Sequence, residues 1–144
     1  MIMAGFEFKK EKPFSEVYFT GIVRDKLGRK MSKSLGNIVD PSELVDRYGR
    51  AATRYYLLSD IATGRDADFS NERLEQRYNT ELANSLGNLL NRTLNMAKRY
   101  RAGALRHVDS PLADFTKEKT AAYKKQMETF QLQAALESVM EIVI

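Results

Sequence analysis

The spacing of hydrophobic positions changes several times within the first 60 residues of the chain. Residues 17–23 are mostly β-branched and aromatic, which predicts a short strand that ends in a turn at residues 25–28. Apolar residues recur at helical spacing after Pro41, and this pattern predicts a short helix that is closed by Gly49. A second helix is expected at about residues 51–59.

A longer helical pattern, at about residues 71–100, has two different sides. Ser70, which ends a brief extended piece, is a suitable N-cap for this helix. At about 100° per residue, one side carries a stripe that is expected to face the core, consisting of Leu82, Leu86, Leu89, Thr93, Met96, Ala97 and Tyr100. The opposite side carries four amides and one cation, which are Asn84, Asn88, Asn91, Asn95 and Arg99.

The amide stripe is unusual because asparagine is a mediocre helix former. Amides offer a donor and an acceptor together, which suits the reading of unstacked RNA bases. For Asn84 and Asn88, hydrogen bonding to a neighbouring helix or loop is the favoured alternative. Asn95 and Arg99 are the better candidates for RNA contacts.

The remaining chain is predicted to be helical. Gly103 is expected to end the long helix, and Pro111 introduces another helical region. Its apolar residues are predicted to be core contacts, namely Ala121, Ala122, Met127, Phe130, Leu132, Ala135, Leu136, Val139 and Val143. Because residues 140–144 form an apolar helical face, we expect exposed hydrophobic surface or self-association. The predicted fold is mainly α with a small α/β portion.

Charge is distributed unevenly along the 144 residues, whose formal net charge is +4. Residues 82–108 contain no acidic side chain, whereas cations accumulate there, namely Arg92, Lys98, Arg99, Arg101 and Arg106. This bias favours a phosphate backbone as a partner.

Composition narrows the class of protein further. The chain has no cysteine, which excludes disulfides and a cysteine zinc site within it, and no metal-binding pattern is visible. No apolar run approaches the roughly 20 residues of a membrane span. We therefore expect a soluble, cytoplasmic protein with no metal site and no membrane partner.

A short basic loop carries the clearest chemistry. Lys30 and Lys33 place two ammonium groups three residues apart, and Ser32 and Ser34 add hydroxyl donors. Glycines at positions 28 and 36 allow the loop to change shape. Mobile point charges with neutral donors suit a polyphosphate such as ATP. An ordinary solvated loop is the alternative, and the five residues alone do not decide between the two.

The sequence around this loop favours ATP binding over an ordinary solvated loop. Residues 28–37 read GRKMSKSLGN, and Asp40 and Pro41 follow. This run resembles the signature loop of class I aminoacyl-tRNA synthetases. The resemblance implies that the loop binds ATP, with Mg²⁺ in the parent enzyme, through Lys30, Met31, Ser32, Lys33 and Ser34. It also implies that Lys30 and Lys33 act catalytically by neutralising the pyrophosphate leaving group.

The resemblance becomes narrower along the chain. From about residue 36 onward the sequence is similar to methionyl-tRNA synthetases, while residues 1–35 resemble valyl-tRNA synthetases. The match implies the end of a catalytic domain with its stem-contact module at residues 1–70, and a partial α-helical anticodon-binding bundle at residues 71–144. It also implies that Asn95 and Arg99 contact anticodon bases of a tRNA, with methionine tRNA favoured. The positive charge of the same segment adds Arg92 and Lys98 as candidate tRNA contacts.

The expected parent reaction is therefore ATP-dependent activation of methionine and its ligation to tRNA. We expect this chain to lack the nucleotide-binding N-terminal half of the catalytic domain, and to be inactive alone for that reason. Two alternatives remain open. One is a noncatalytic helical module that binds tRNA or another RNA, and the other is a valyl-tRNA synthetase fragment.

Overall fold

A computed structural model describes residues 1–62, 64–105 and 109–144. Arg106, one of the predicted phosphate-binding cations, lies outside the described residues. The described elements are α1 (Ile2–Ala4) with a π-helical turn (Gly5–Lys9), β1 (Val23–Arg24), a 3₁₀ turn (Lys33–Leu35), α2 (Pro41–Tyr48), α3 (Arg50–Asp60), β2 (Ala67–Asp68), α4 (Asn71–Arg77), a π-helical stretch (Tyr78–Gly87), α5 (Asn88–Arg101), α6 (Leu112–Glu128) and α7 (Leu132–Val143). The fold is thus mostly helical with a small parallel sheet.

The two strands pair in parallel, with Val23 opposite Ala67 and Arg24 opposite Asp68. The predicted strand at residues 17–23 is therefore wrong except at its end. Its partner β2 is two residues long, so the ladder is short. Asp66 links the two strands further, because its carboxylate accepts a hydrogen bond of 3.0 Å from the Ile22 N–H and one of 2.9 Å from the Arg24 Nε.

Three predicted helix boundaries are confirmed. The Asp40 carboxylate accepts a hydrogen bond of 2.8 Å from the Ser42 N–H at the start of α2, and Gly49 ends that helix with a φ of 81°. Ser70 caps α4 by accepting from the Arg73 N–H at 3.0 Å. These caps satisfy backbone donors that have no partner within the helix.

The core lies where α2, α3, α4 and β2 meet. Its buried members are Leu44, Tyr56, Phe69 and Leu74, and the Tyr56 and Phe69 rings meet edge to face with centroids 5.6 Å apart. Asp60, whose side chain is 2% exposed, joins α3 to α4 through Arg73 at 2.9 Å and Arg77 at 3.2 Å. The pairing compensates the cost of burying this carboxylate.

The long helix departs from the prediction of one regular α-helix. It is continuous from Asn71 to Arg101, but its middle is π-helical. Hydroxyls compete with the backbone there, because Thr80 donates to the Gln76 carbonyl at 2.8 Å and Ser85 donates to the Thr80 carbonyl at 3.0 Å. The wider turns shift the register, so a single face at α-helical spacing holds only within α5.

The predicted core stripe on this helix is also wrong for most of its members. In α5, all of whose residues the structure describes, no residue is buried, and Met96 and Tyr100 are 58% and 66% exposed. Helix α7 packs against α6, α3 and the π-helical stretch instead. The apolar stripe of α5 therefore faces solvent.

Helices α6 and α7 form an antiparallel hairpin, whereas the sequence predicted a single helical region there. Phe130 breaks the helix with a φ of 57°, a left-handed conformation. Ala135 is fully buried, as predicted, but Met127, Phe130 and Val139 are exposed, contrary to the predicted core. A salt bridge between Lys119 and Glu141 fastens the two helices. None of the helices in the described parts of the chain is long and apolar enough to cross a membrane.

Leu74→Ala tests whether the small core stabilises the fold. Leu74 is 1% exposed, so its truncation is expected to lower the free energy of unfolding by about 2–5 kcal/mol. Leu94→Ala, at a position on α5 that is 59% exposed, is the matched control and should change it by less than about 0.5 kcal/mol. Urea unfolding measures both, and equal effects would contradict this assignment of the core.

Candidate functional site

The basic loop begins where β1 ends in a tight turn. The Gly28 N–H donates to the Asp25 carbonyl at 2.8 Å, and Gly28 adopts a φ of 72°, which favours glycine. Lys30 then forms an isolated antiparallel bridge to Arg24. The turn at residues 25–28 is as predicted, and it brings the start of the loop back beside the strand.

Asp25 organises this turn with its carboxylate. One oxygen accepts from the backbone N–H groups of Leu27 at 3.0 Å and Arg29 at 2.9 Å. The other accepts from the Arg29 Nε at 2.8 Å and from the Asn37 Nδ2 at 2.9 Å. The hydrogen bonds from Asn37 and Arg29 hold the pKa of the Asp25 carboxyl well below its usual range. Asp25 is 8% exposed, so the carboxylate is nearly enclosed by its donors.

Asn37 connects the far end of the loop to its start. Besides donating to Asp25, its amide nitrogen donates to the Lys30 carbonyl at 3.3 Å. Its amide oxygen accepts from the Ser32 N–H at 2.8 Å. One side chain thus contacts the backbone on both sides of Met31.

The five predicted ATP-binding residues occupy different environments. Lys30, Lys33 and Ser34 are exposed, Ser32 is half-buried, and Met31 packs against the hydrophobic core. The hydroxyls of Ser32 and Ser34 lie 2.6 Å apart. Lys33, the residue between them, begins the 3₁₀ turn. The loop therefore presents two ammonium groups and two hydroxyls beside a half-buried methionine.

The four predicted tRNA-binding residues lie on α5. Arg92, Asn95, Lys98 and Arg99 are all exposed. The side-chain amide of Asn95 donates to the side-chain oxygen of Asn91 at 2.8 Å. The Arg99 guanidinium lies 5.5 Å from the centre of the Tyr100 ring. The surface combines amides, cations and an aromatic ring, which are the groups that contact single-stranded RNA.

Two residues of this site had no predicted role. Asp25 and Asn37 belong to the conspicuous stretch of sequence, but the lysines and serines between them carried the chemical interpretation. A signal was present, because aspartate followed by glycine three residues later is typical of a type I turn. The contact from Asn37 spans 12 residues and has no such local signature.

Comparisons with known proteins identify the family. The family described as tRNA synthetases class I (I, L, M and V) matches residues 1–70. A methionine–tRNA ligase from Thermotoga maritima is 44% identical over 122 residues, which cover 81% of this chain and 19% of the relative. The chain belongs to the class I aminoacyl-tRNA synthetases. Because the matching family includes methionyl and valyl enzymes alike, the valyl resemblance of residues 1–35 stays a prediction.

Solved synthetase structures share the fold. Methionyl-tRNA synthetase from Mycobacterium tuberculosis, bound by methionyl-adenylate, matches at 32% identity with a TM-score of 0.72, covering 86% of this chain and 25% of that one. Leucyl-tRNA synthetase from Agrobacterium radiobacter, in a ternary complex with tRNA and LeuAMS, matches at 23% identity with a TM-score of 0.78. That match covers 99% of this chain and 19% of the leucyl enzyme, and it supports the fold alone.

This synthetase chain spans 18–23% of the length of the curated relatives that it matches. Among the described residues, no group of three or more His, Cys, Asp or Glu side chains is arranged to hold a metal ion. The basic loop, with its cations and neutral donors, fits phosphate oxygens rather than a metal.

The depressed pKa of Asp25 predicts a pH-dependent contribution to stability. A carboxyl whose folded pKa lies below its unfolded value, about 3.9, stabilises fully above that value and loses the contribution as pH falls. Asp25→Asn should therefore lower the urea midpoint by a constant amount at pH 5 and pH 7. The difference from wild type should shrink at pH 3.

Asp46→Asn, at an exposed position of α2, is the control for that measurement and should stay near wild type at all three pH values. A difference for Asp25→Asn that grows on acidification would contradict the assignment of its hydrogen bonds to the ionised carboxylate.

Proposed function

We propose that the loop at residues 30–34 binds the pyrophosphate portion of ATP in a methionyl-tRNA synthetase. The observation that carries this proposal is the exposure of Lys30 and Lys33 on a loop whose two ends are tied together by Asp25 and Asn37. In the parent reaction a methionine carboxylate oxygen forms a bond to the α-phosphorus of ATP. The bond from that phosphorus to the pyrophosphate oxygen breaks, and its electrons leave with the pyrophosphate.

Lys30 and Lys33 would then act by electrostatics. Negative charge grows on the departing pyrophosphate, and two ammonium groups held nearby stabilise the transition state more than the ground state. Ser32 and Ser34 would donate hydrogen bonds to phosphate oxygens, and Met31 would anchor the loop through its contact with the core. Mg²⁺ serves the parent enzyme as a counterion for the phosphates, and the loop itself offers no anionic ligand for it.

The helical part of the chain is proposed to bind tRNA, with methionine tRNA the preferred partner. Residues 1–70 would be the end of the catalytic domain with its stem-contact module, and residues 71–144 a partial anticodon-binding bundle. Asn95 and Arg99 would contact anticodon bases, while Arg92 and Lys98 would contact phosphates. The exposure of all four side chains on α5 supports their contact with RNA.

Two alternatives keep specific support. A noncatalytic RNA-binding module would use the same exposed cations and amides of α5 without needing the loop. A valyl-tRNA synthetase fragment rests on the resemblance of residues 1–35. The 40–44% identities to methionine–tRNA ligases favour the methionyl assignment over the valyl one.

The isolated chain is proposed to be inactive, since it spans 18–23% of the length of its relatives. Methionine-dependent exchange of labelled pyrophosphate into ATP measures the activation step. The 144-residue chain should give no exchange above background, while a full-length methionyl-tRNA synthetase that carries this segment should be active. Exchange by the chain alone would contradict this proposal.

Lys33→Ala tests the catalytic role of the loop in that full-length enzyme. Loss of one group that stabilises charge in the transition state should lower kcat for exchange about 100- to 1,000-fold. The KM for methionine should change less than about twofold, because the lysine does not contact the amino acid. Lys12→Ala, at an exposed position outside the loop, is the control. Equal losses in kcat and in methionine binding would contradict the proposed role.

Asn95→Ala and Lys98→Ala separate base reading from phosphate binding on α5. Removal of a base contact should reduce discrimination between methionine tRNA and a copy with one altered anticodon base, by roughly 1–3 kcal/mol. Lys98→Ala should weaken binding of both RNAs equally and make it less sensitive to salt. Binding titrations at two salt concentrations measure this, and the reverse ranking of the two variants would show that another face reads the anticodon.

A further inference from the structure

We infer that Asp25 and Asn37 are positioning residues for the catalytic loop, and that their mutual contact sets where Lys30 and Lys33 meet the pyrophosphate. This inference rests on the proposed function of the loop. Neither side chain belongs to the residues proposed to contact ATP, so they are positioning and not catalytic residues. They act through the backbone that carries the lysines.

The contacts of Asn37 fix the loop on both sides of Met31. The amide accepts from the Ser32 N–H at 2.8 Å and donates to the Lys30 carbonyl at 3.3 Å. Met31 itself packs against the core cluster that includes Leu44 and Phe69. Three consecutive residues are thus held from two directions, and the side chain of Lys30 leaves from a fixed backbone.

Asp25 in turn orients Asn37. An asparagine amide can bond with either end forward, and a carboxylate accepts only from the nitrogen. The 2.9 Å hydrogen bond from Asn37 Nδ2 to Asp25 Oδ2 therefore selects the orientation in which the amide oxygen faces the Ser32 N–H. Asp25 is rigid for its own reasons, because it also accepts two backbone N–H groups and the Arg29 guanidinium.

The contacts of Asp25 and Asn37 hold the backbone of the loop but leave the lysine side chains mobile. Lys30 and Lys33 are exposed, and the structure gives them no side-chain partner among the described residues. A loop that is already folded loses less conformational entropy when it binds its ligand. Loosening the contact between Asp25 and Asn37 should therefore weaken the interaction with pyrophosphate without touching any group that contacts it.

Single substitutions distinguish the role of Asn37 from that of Asp25. Asn37→Ala removes the contacts to Lys30 and Ser32 but leaves Asp25 its bonds to the turn at residues 25–28. Asp25→Asn disturbs both. Asn79→Ala, an exposed asparagine in the π-helical stretch, is the matched control. The double variant of Asp25 and Asn37 completes a cycle that measures whether the two residues act together.

The first measurement is amide hydrogen exchange in the 144-residue chain without ligand. Asn37→Ala should speed exchange of the Ser32 N–H about tenfold or more, while the Leu74 N–H, which donates to the Ser70 carbonyl at 3.1 Å, keeps its wild-type rate. The Leu74 amide reports whether the variant is folded. Unchanged exchange at Ser32 would overturn the inference.

The second measurement is the KM for pyrophosphate in the exchange reaction of the full-length enzyme. A KM does not depend on the fraction of enzyme that is folded, so a purely structural defect leaves it unchanged. Asn37→Ala and Asp25→Asn should each raise it about five- to tenfold, and the double variant should raise it no further. Multiplied effects in the double variant, or effects no larger than that of Asn79→Ala, would overturn the inference.

Lys33→Ala in the same assay distinguishes a failure of the proposed function from a failure of the positioning role. If it leaves the KM for pyrophosphate and kcat unchanged, the proposed function fails, and exchange at Ser32 still decides whether Asn37 holds the loop. If Lys33→Ala impairs the enzyme but Asn37→Ala leaves the KM for pyrophosphate at its wild-type value, the function stands and the positioning role fails.

Discussion

The organisation of the loop depends on one carboxylate that is held by more than one partner at once. Asp25 accepts hydrogen bonds from the turn that follows β1, from Arg29 and from Asn37 beyond the loop. Without this acceptor, four donors near the surface would have to find water, and the turn that follows β1 would lose its link to Asn37. Asp25 directly follows β1, which pairs with β2 and packs against the core through Val23.

The loop that Asp25 organises contacts the core on one side and solvent on the other. Toward the interior, Met31 and Val39 pack against the cluster of Leu44, Tyr56, Phe69 and Leu74, so the loop is attached to the same core that holds α2, α3 and α4. Toward solvent, Lys30 and Lys33 remain free to meet an anion. In the proposed reaction, a backbone that is already in place lessens the reorganisation needed to bring the two ammonium groups to the leaving group.

Helix ends could be predicted from the sequence wherever neighbouring residues determine the structure. Asp40, Gly49 and Ser70 act at helix ends through contacts within a few residues, and all three were predicted. The pairing of β1 with β2, the exposed stripe of α5 and the break at Phe130 were not predicted, because they depend on which distant segment packs against which. Periodicity gives a helix an apolar face, but it does not say what covers that face.

The same distinction applies to the site. The lysines and serines were predicted to bind ATP because ammonium and hydroxyl groups suit phosphate oxygens and because the family resemblance implies that role, which stays a prediction. The link from Asn37 to Asp25 was not found, since it joins residues 12 apart through side chains that are common in turns. Positioning groups of this kind are visible once the chain is folded.

The most direct test of the central claim is an NMR titration of the 144-residue chain with inorganic pyrophosphate, with sulfate at matched ionic strength as the control. If the loop is the pyrophosphate site, backbone amides of residues 30–36 shift and saturate with pyrophosphate but not with sulfate. Shifts confined to the cations of α5, or identical responses to both anions, would contradict the claim.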